Sequence, residues 1–199
     1  MTGTIVTETS SRPSTAFDGL RLVASGPLLH VALAVKAVLK KDPAASVLTF
    51  DDATGSVIDL DLRGSKADIA ARLAVTERAS EEGPRGRGRP KLGVVAREVT
   101  LLPRHWEWLS LQRGGASHAL RRLVDEARRN DGGGSAARAA QERAYRFLSG
   151  LAGNLPGFEE ASRALFAGDK ARFAQHMAEW PADVRAYALR LGWGETGGG

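Results

Sequence analysis

Val47-Leu48-Thr49-Phe50-Asp51-Asp52-Ala53-Thr54-Gly55-Ser56-Val57-Ile58-Asp59-Leu60-Asp61-Leu62 holds two strand-like runs on either side of a turn. The first run is Val47–Phe50. The second is Val57–Leu62, where Val57, Asp59 and Asp61 alternate with Ile58, Leu60 and Leu62, a period of two that fits a sheet with one wet face. Asp51–Gly55 is the turn, with glycine where a positive φ is needed. Upstream, Phe17 to Ala24 reads as a short strand or hairpin. Ser25-Gly26-Pro27 then resembles a helix cap with proline in the first turn. An apolar helix follows to Lys41, carrying Leu29, Val31, Leu33, Val35, Val38 and Leu39, and Asp42-Pro43 stops it. Downstream, Ser65 is placed to cap a helix bearing Ile69, Ala70 and Leu73. Residues 16–77 are thus expected to form a small β-α-β-β-α unit, and the chain an α+β fold.

Around that unit the punctuation predicts a Thr/Ser-rich disordered start (1–15) and a basic Gly/Pro linker (78–93). A strand-helix-helix unit (94–130) and a Gly-rich linker (131–135) come next, then a helical C-terminal unit (136–193) and a frayed tail (194–199). In 94–130, Val94–Leu102 is β-branched and apolar, and Pro103 suits a first helical turn. Trp106 falls on the Leu102/Leu109 stripe and reads as core. Trp108 points elsewhere, as a dimer contact would. Ser117 is placed to cap a second helix with stripe Leu120, Leu123, Val124 and Ala127. The last four helices are expected at 136–151, 157–167, 169–180 and 182–192, punctuated by Gly168 and Pro181.

The chain has 199 residues and no cysteine, which excludes disulfides, thiolate metal sites and cysteine nucleophiles. The start lacks a basic region followed by an apolar run, so no signal peptide is read. The most apolar stretch, Leu28 to Leu39, is short of the roughly 20 residues of a membrane span. A soluble, cytoplasmic protein without membrane contact is expected. The net charge is +5, and the window Arg78–Arg129 holds 12 basic against 6 acidic residues, leaving −1 for everything else. An excess so concentrated argues for an anionic partner.

Arg87-Gly88-Arg89-Pro90 is similar to the core of the AT-hook, a minor-groove DNA-binding motif, with Arg85 and Lys91 adding flanking charge. Glycine lets a backbone lie on the groove floor, and a narrow A·T-rich groove attracts arginine. The element order of 94–130 resembles the ribbon-helix-helix family of bacterial DNA-binding proteins. That resemblance implies a homodimer through residues 94–102 and a phosphate at Gly115-Ala116-Ser117. One strand face would carry Val95, Arg97, Val99 and Leu101, and the other includes Glu98, which phosphates repel.

Longer stretches also look familiar. Gly88 to Trp106, Gly115-Ala116-Ser117 with Ala119 to Val124, the Asp51–Gly55 turn and Trp180-Pro181-Ala182-Asp183-Val184-Arg185 together resemble an uncharacterised bacterial family, the domain-of-unknown-function family 2239. The likeness runs from about Thr15 to Leu191 and implies no activity, cofactor or catalytic residue.

No phosphate-binding loop, dinucleotide fingerprint, GxSxG elbow or HExxH is present. His30, His105, His118 and His176 are scattered. Asp51, Asp52, Asp59 and Asp61 would hold Mg²⁺ or Ca²⁺ if they converged, but a solvated strand face is the favoured reading. No nucleophile–base pair is visible, so an enzyme is not expected, nor a cofactor. The leading expectation is DNA binding by a homodimer. Arg85, Arg87, Arg89 and Lys91 would grip the duplex, Gly88 and Pro90 shape the contact, and Arg97, Arg104, Ser117, Arg121 and Arg122 lie nearby. The alternative is an interaction module whose basic segment meets an acidic protein partner.

Overall fold

The computed structural model describes residues 12–81 and 97–194. The chain divides into two compact units. One is discontinuous, joining the chain up to Gly83 to the chain from Ala136 onward, and the other is Pro84–Ser135.

In the discontinuous unit, β1 (Pro13–Asp18) and β2 (Arg21–Pro27) form the expected hairpin, and α1 (Leu28–Lys41) follows at once. β3 (Val47–Asp51) pairs with β1, and β4 (Val57–Ile58) with β3, giving a four-stranded antiparallel sheet in the order β2-β1-β3-β4. The fold is α+β as the pattern predicts, with one more strand than the expected order. The second run is shorter than expected. Only Val57 and Ile58 pair, opposite Phe50 and Thr49 of β3. Residues 13–15, expected to be disordered, belong to β1. Ser14 and Thr15 are buried there, paired on both sides.

Ser25 does not cap α1. Pro27 occupies the cap position without a side-chain bond, and the Ser25 hydroxyl turns to Thr15 instead. The next cap forms as expected. Ser65 Oγ accepts the Asp68 N–H (3.2 Å), and Asp68 Oδ2 accepts the Ser65 N–H (2.7 Å), a reciprocal box opening α2 (Lys66–Glu81). Asp68 Oδ2 also accepts from the Ser65 hydroxyl (2.8 Å), and the two bonds to the carboxylate, the Ser65 N–H first, hold it below its ordinary range.

The sheet is covered on both faces. Ala16 meets Val31 and Val35 of α1 on one side. Phe17 and Phe50 face the other side, into a core supplied by α5 (Gly134–Leu151), α6 (Phe158–Phe166), α7 (Lys170–His176) and α8 (Ala182–Trp193), the helices expected from Gly168, Pro181 and the aromatic spacing. Phe147 sits at the centre of this core, with ring centroids 5.4 Å from Phe17, 5.0 Å from Phe50 and 4.6 Å from Tyr187. Residues 16–77 keep a small cluster of their own under α1, and on the other face share one core with 136–193. The sheet's second face is apolar and needs the late helices to leave water, a burial worth roughly 1.5–3 kcal/mol for each large side chain.

In the other unit, α3 (Pro103–Ser110) begins with proline in its first turn and α4 (Gly115–Asn130) follows. The strand expected over 94–102 is absent at 97–102, which find no ladder partner among the described residues; 94–96 lie outside them. Ser117 does not cap α4. Gly114 takes that position at φ 84°, and Ser117 stands inside the first turn. Trp106, expected in the core, is exposed, as is Leu102. A helix of eight residues facing one neighbour buries a single large side chain, Leu109, and α4 buries Ala119. Within the expected 131–135 linker Asp131 accepts from the Ser135 N–H (2.8 Å) and from its hydroxyl (3.0 Å), and α5 starts at Gly134.

Candidate functional site

Of the residues expected to bind DNA, Arg85, Arg87, Gly88, Arg89, Pro90 and Lys91 lie outside the described residues, as does most of the 78–93 linker. Arg97, Arg104, Ser117, Arg121 and Arg122 are all exposed. Successive α-helical residues turn by about 100°. Arg121, Arg122, Arg128 and Arg129 therefore project from the side of α4 opposite the stripe Ala116, Ala119, Leu120, Leu123. Arg121 Nε donates to the Ser117 carbonyl at 3.0 Å. No carboxylate of a described residue lies within ion-pair distance of these four guanidinium groups. Asp125 and Glu126 moderate the charge of the face without pairing with it.

The four aspartates of the hairpin region go separate ways. Asp51 Oδ1 accepts the N–H groups of Ala53 (2.7 Å) and Thr54 (3.0 Å), and its Oδ2 meets Arg12 at 2.5 Å. Asp61 takes two bonds from the Arg63 guanidinium, 2.9 and 2.8 Å long, and lies beside Arg72. The Arg63 bonds drive the Asp61 carboxyl far below the carboxylate range. Asp59 is exposed. Among the described residues no three His, Asp or Glu side chains converge as metal ligands.

Asp52 is the surprise of the hairpin. The Asp51 turn throws its side chain against the sheet. There Oδ1 accepts from Thr15 Oγ1 (2.8 Å) and from the Tyr187 hydroxyl (2.8 Å), and Oδ2 accepts from Arg190 Nη2 (3.0 Å). Arg190 Nη2 also reaches Thr15 Oγ1 (3.0 Å), and the guanidinium lies over the Tyr187 ring, 4.9 Å from its centroid. Burial first, and then the Asp52 charge, push the Tyr187 hydroxyl well above its ordinary pKa. Thr15 is 1% exposed and Tyr187 4%. A buried polar group is tolerated when its bonds are complete, and this network completes them across β1, the β3–β4 turn and α8. Sequence reading missed it because its members stand up to 175 positions apart.

Gly55 closes the same turn at φ 70°, as its position required. It is buried, and a methyl group there would collide with the backbone carbonyl of Arg143 in α5. The turn is thus fitted to the late helices at its backbone as well as through Asp52.

The family model DUF2239, an uncharacterized protein conserved in bacteria, matches residues 13–192. The chain belongs to this family. The match begins at the first residue of β1 and ends one residue before the end of α8, so DUF2239 takes in the sheet, the late helices and the segment between them. Comparison of this DUF2239 chain with the curated proteins and with the solved structures finds no match. No helix of the described residues is long and apolar enough to cross a membrane.

Proposed function

We propose that the chain binds DNA through its central basic region. The observation that carries this reading is the α4 face bearing Arg121, Arg122, Arg128 and Arg129, four exposed cations with no carboxylate partner among the described residues. Phosphate oxygens are the natural complement of unpaired guanidinium groups on one helix face. Gly114 leaves the start of α4 without a side-chain cap, which suits a phosphate at its first turn. Arg85, Arg87, Arg89 and Lys91 add charge to the same stretch of sequence, and Gly88 lets it follow a narrow groove. A second copy joined through 94–102 would double the contact.

Fluorescence polarisation with A·T-rich and G·C-rich duplexes tests this. With roughly 4–6 phosphates contacted, log K against log salt falls with a slope of about −4 to −5. Absence of binding at low salt overturns the proposal, and equal binding to both duplexes removes the minor-groove component.

A second reading has its own support. Trp108 is 46% exposed, Leu111 83% and Val124 55%, large apolar side chains on the surface of the unit that carries the arginines. An acidic protein partner would use both, and its retention after nuclease treatment would favour this reading over DNA.

A further inference from the structure

Arg12, the residue before β1, stands at a cleft of about 500 Å³ between α2 and the β4 edge of the sheet. Leu28 and Ile58 line one side, and Leu73 and Val75 of α2 the other. Val75 is 65% exposed, so this apolar lining opens to solvent. Asp59, Asp61 and Arg72 complete the rim. Pairing decides which charged group is available. Arg72 Nη2 donates to the carbonyls of Asp61 and Arg63, and its Nε lies 3.5 Å from Asp61 Oδ2. Arg12 is placed differently. Its carbonyl accepts the Leu28 N–H (3.0 Å) and its Nε donates to Asp51 Oδ2 (2.5 Å), which fixes the residue at backbone and side chain. Asp51 thus occupies the guanidinium on the edge shared by Nε and Nη2. The end edge, formed by Nη1 and Nη2, has no protein acceptor among the described residues and is not sealed from solvent.

The charges around this fork nearly cancel. Asp51 balances Arg12. Asp61 lies between Arg63 and Arg72, and the positive charge left over there offsets Asp59, which is exposed and has no ion pair among the described residues. A dianion would gain little from such surroundings. A single carboxylate gains two charge-assisted bonds from a fork that is already held in place. A cationic ligand would have only Asp59, a solvated carboxylate that no bond orients. The lining calls for an apolar body behind the charged head. We propose that this cleft binds a medium-chain alkyl carboxylate, a fatty-acid-like anion. Its carboxylate is held on the Nη1–Nη2 edge of Arg12 and its chain lies between Ile58 and Val75. The site belongs wholly to the sheet-bearing unit, and the DNA reading neither supports nor weakens it.

The test titrates the full ¹⁵N-labelled chain with octanoate, hexanoate, octylammonium and 1-octanol. It follows backbone amide and arginine Nε–H shifts. Saturable shifts at Arg12, Ile58, Leu73 and Val75 are expected with octanoate. Each methylene should contribute about fourfold, so hexanoate should bind about tenfold more weakly or worse. Octylammonium and octanol, which cannot take the fork, should also bind about tenfold more weakly than octanoate. Val75→Asp charges the open wall, and Arg12→Gln removes the fork. Each should lower octanoate affinity by about fivefold or more with the fold intact by circular dichroism. Val75 is exposed, so its variant keeps the test decisive even where Arg12→Gln disturbs the turn at Asp51. Four results would overturn the proposal: no saturable shift with octanoate up to about 5 mM, octylammonium or octanol that binds as well, octanoate affinity unchanged in Val75→Asp, or shifts that are as large at Trp106 and Leu111 as in the cleft.

Discussion

In the unit that carries the sheet, Arg12 meets Asp51, Arg63 and Arg72 meet Asp61, Arg163 meets Glu159 and Glu160, and Arg190 meets Asp52. In 97–135, Arg104, Arg113, Arg121, Arg122, Arg128 and Arg129 meet no carboxylate of a described residue. The cores differ in the same sense. One unit encloses Phe17, Phe50, Phe147, Phe173 and Tyr187, and the other buries Leu109 and Ala119 while Trp106 and Trp108 stay exposed. The first unit pairs many of its arginines and encloses most of its aromatics, with Tyr145 and Phe166 reaching the surface. A segment that leaves both on its surface has them available to something else.

The largest expected effect would break the first half of that contrast. Phe147→Ala opens a void among Phe17, Phe50 and Tyr187 and should cost about 3–5 kcal/mol in chemical denaturation. Gly55→Ala, pressed against the Arg143 carbonyl, should follow at about 3 kcal/mol in the same assay. Asp52→Ala leaves Arg190 and the Tyr187 hydroxyl without their acceptor, and a loss of about 2 kcal/mol is expected. The Tyr187 pKa is raised in the folded state. Its contribution is therefore complete below the unfolded tyrosine value, about 10, and is lost as pH climbs beyond it. Urea midpoints at pH 8 and pH 11 should converge in Tyr187→Phe relative to the parent chain. Ser65→Ala removes one cap and should cost about 1 kcal/mol in thermal unfolding.

The smallest stability effect sharpens the other half. Arg121→Gln and Arg128→Gln break no ion pair and should change stability by no more than about 0.5 kcal/mol. On the DNA reading each should still make the salt dependence of binding shallower by about one phosphate. A clear loss of stability instead would mean that these arginines serve the fold.

Local chemistry was readable and distant chemistry was not. The turn at Asp51–Gly55, the stop at Asp42-Pro43, the Ser65 cap and the late helices follow from neighbours within a few positions. The common core of Phe17 and Phe147 does not, since nothing near either residue names the other. Ser25 shows the same limit at close quarters. It carries the right side chain for a cap beside a helix start, but Thr15, ten positions earlier, holds its hydroxyl. The basic region was legible as charge, and its division into an apolar and an arginine face on α4 followed from helical period alone. Trp106 was misplaced because periodicity assigns a stripe but not the number of neighbours available to cover it.

Because the sheet and α8 are joined by Thr15, Asp52, Tyr187 and Arg190, the order of synthesis matters. A ribosome adding about 5–20 residues per second exposes Phe17 and Phe50 for many seconds before Tyr187 emerges. During that wait the nascent hairpin has one greasy side and no lid, a window in which a holding chaperone would find its substrate.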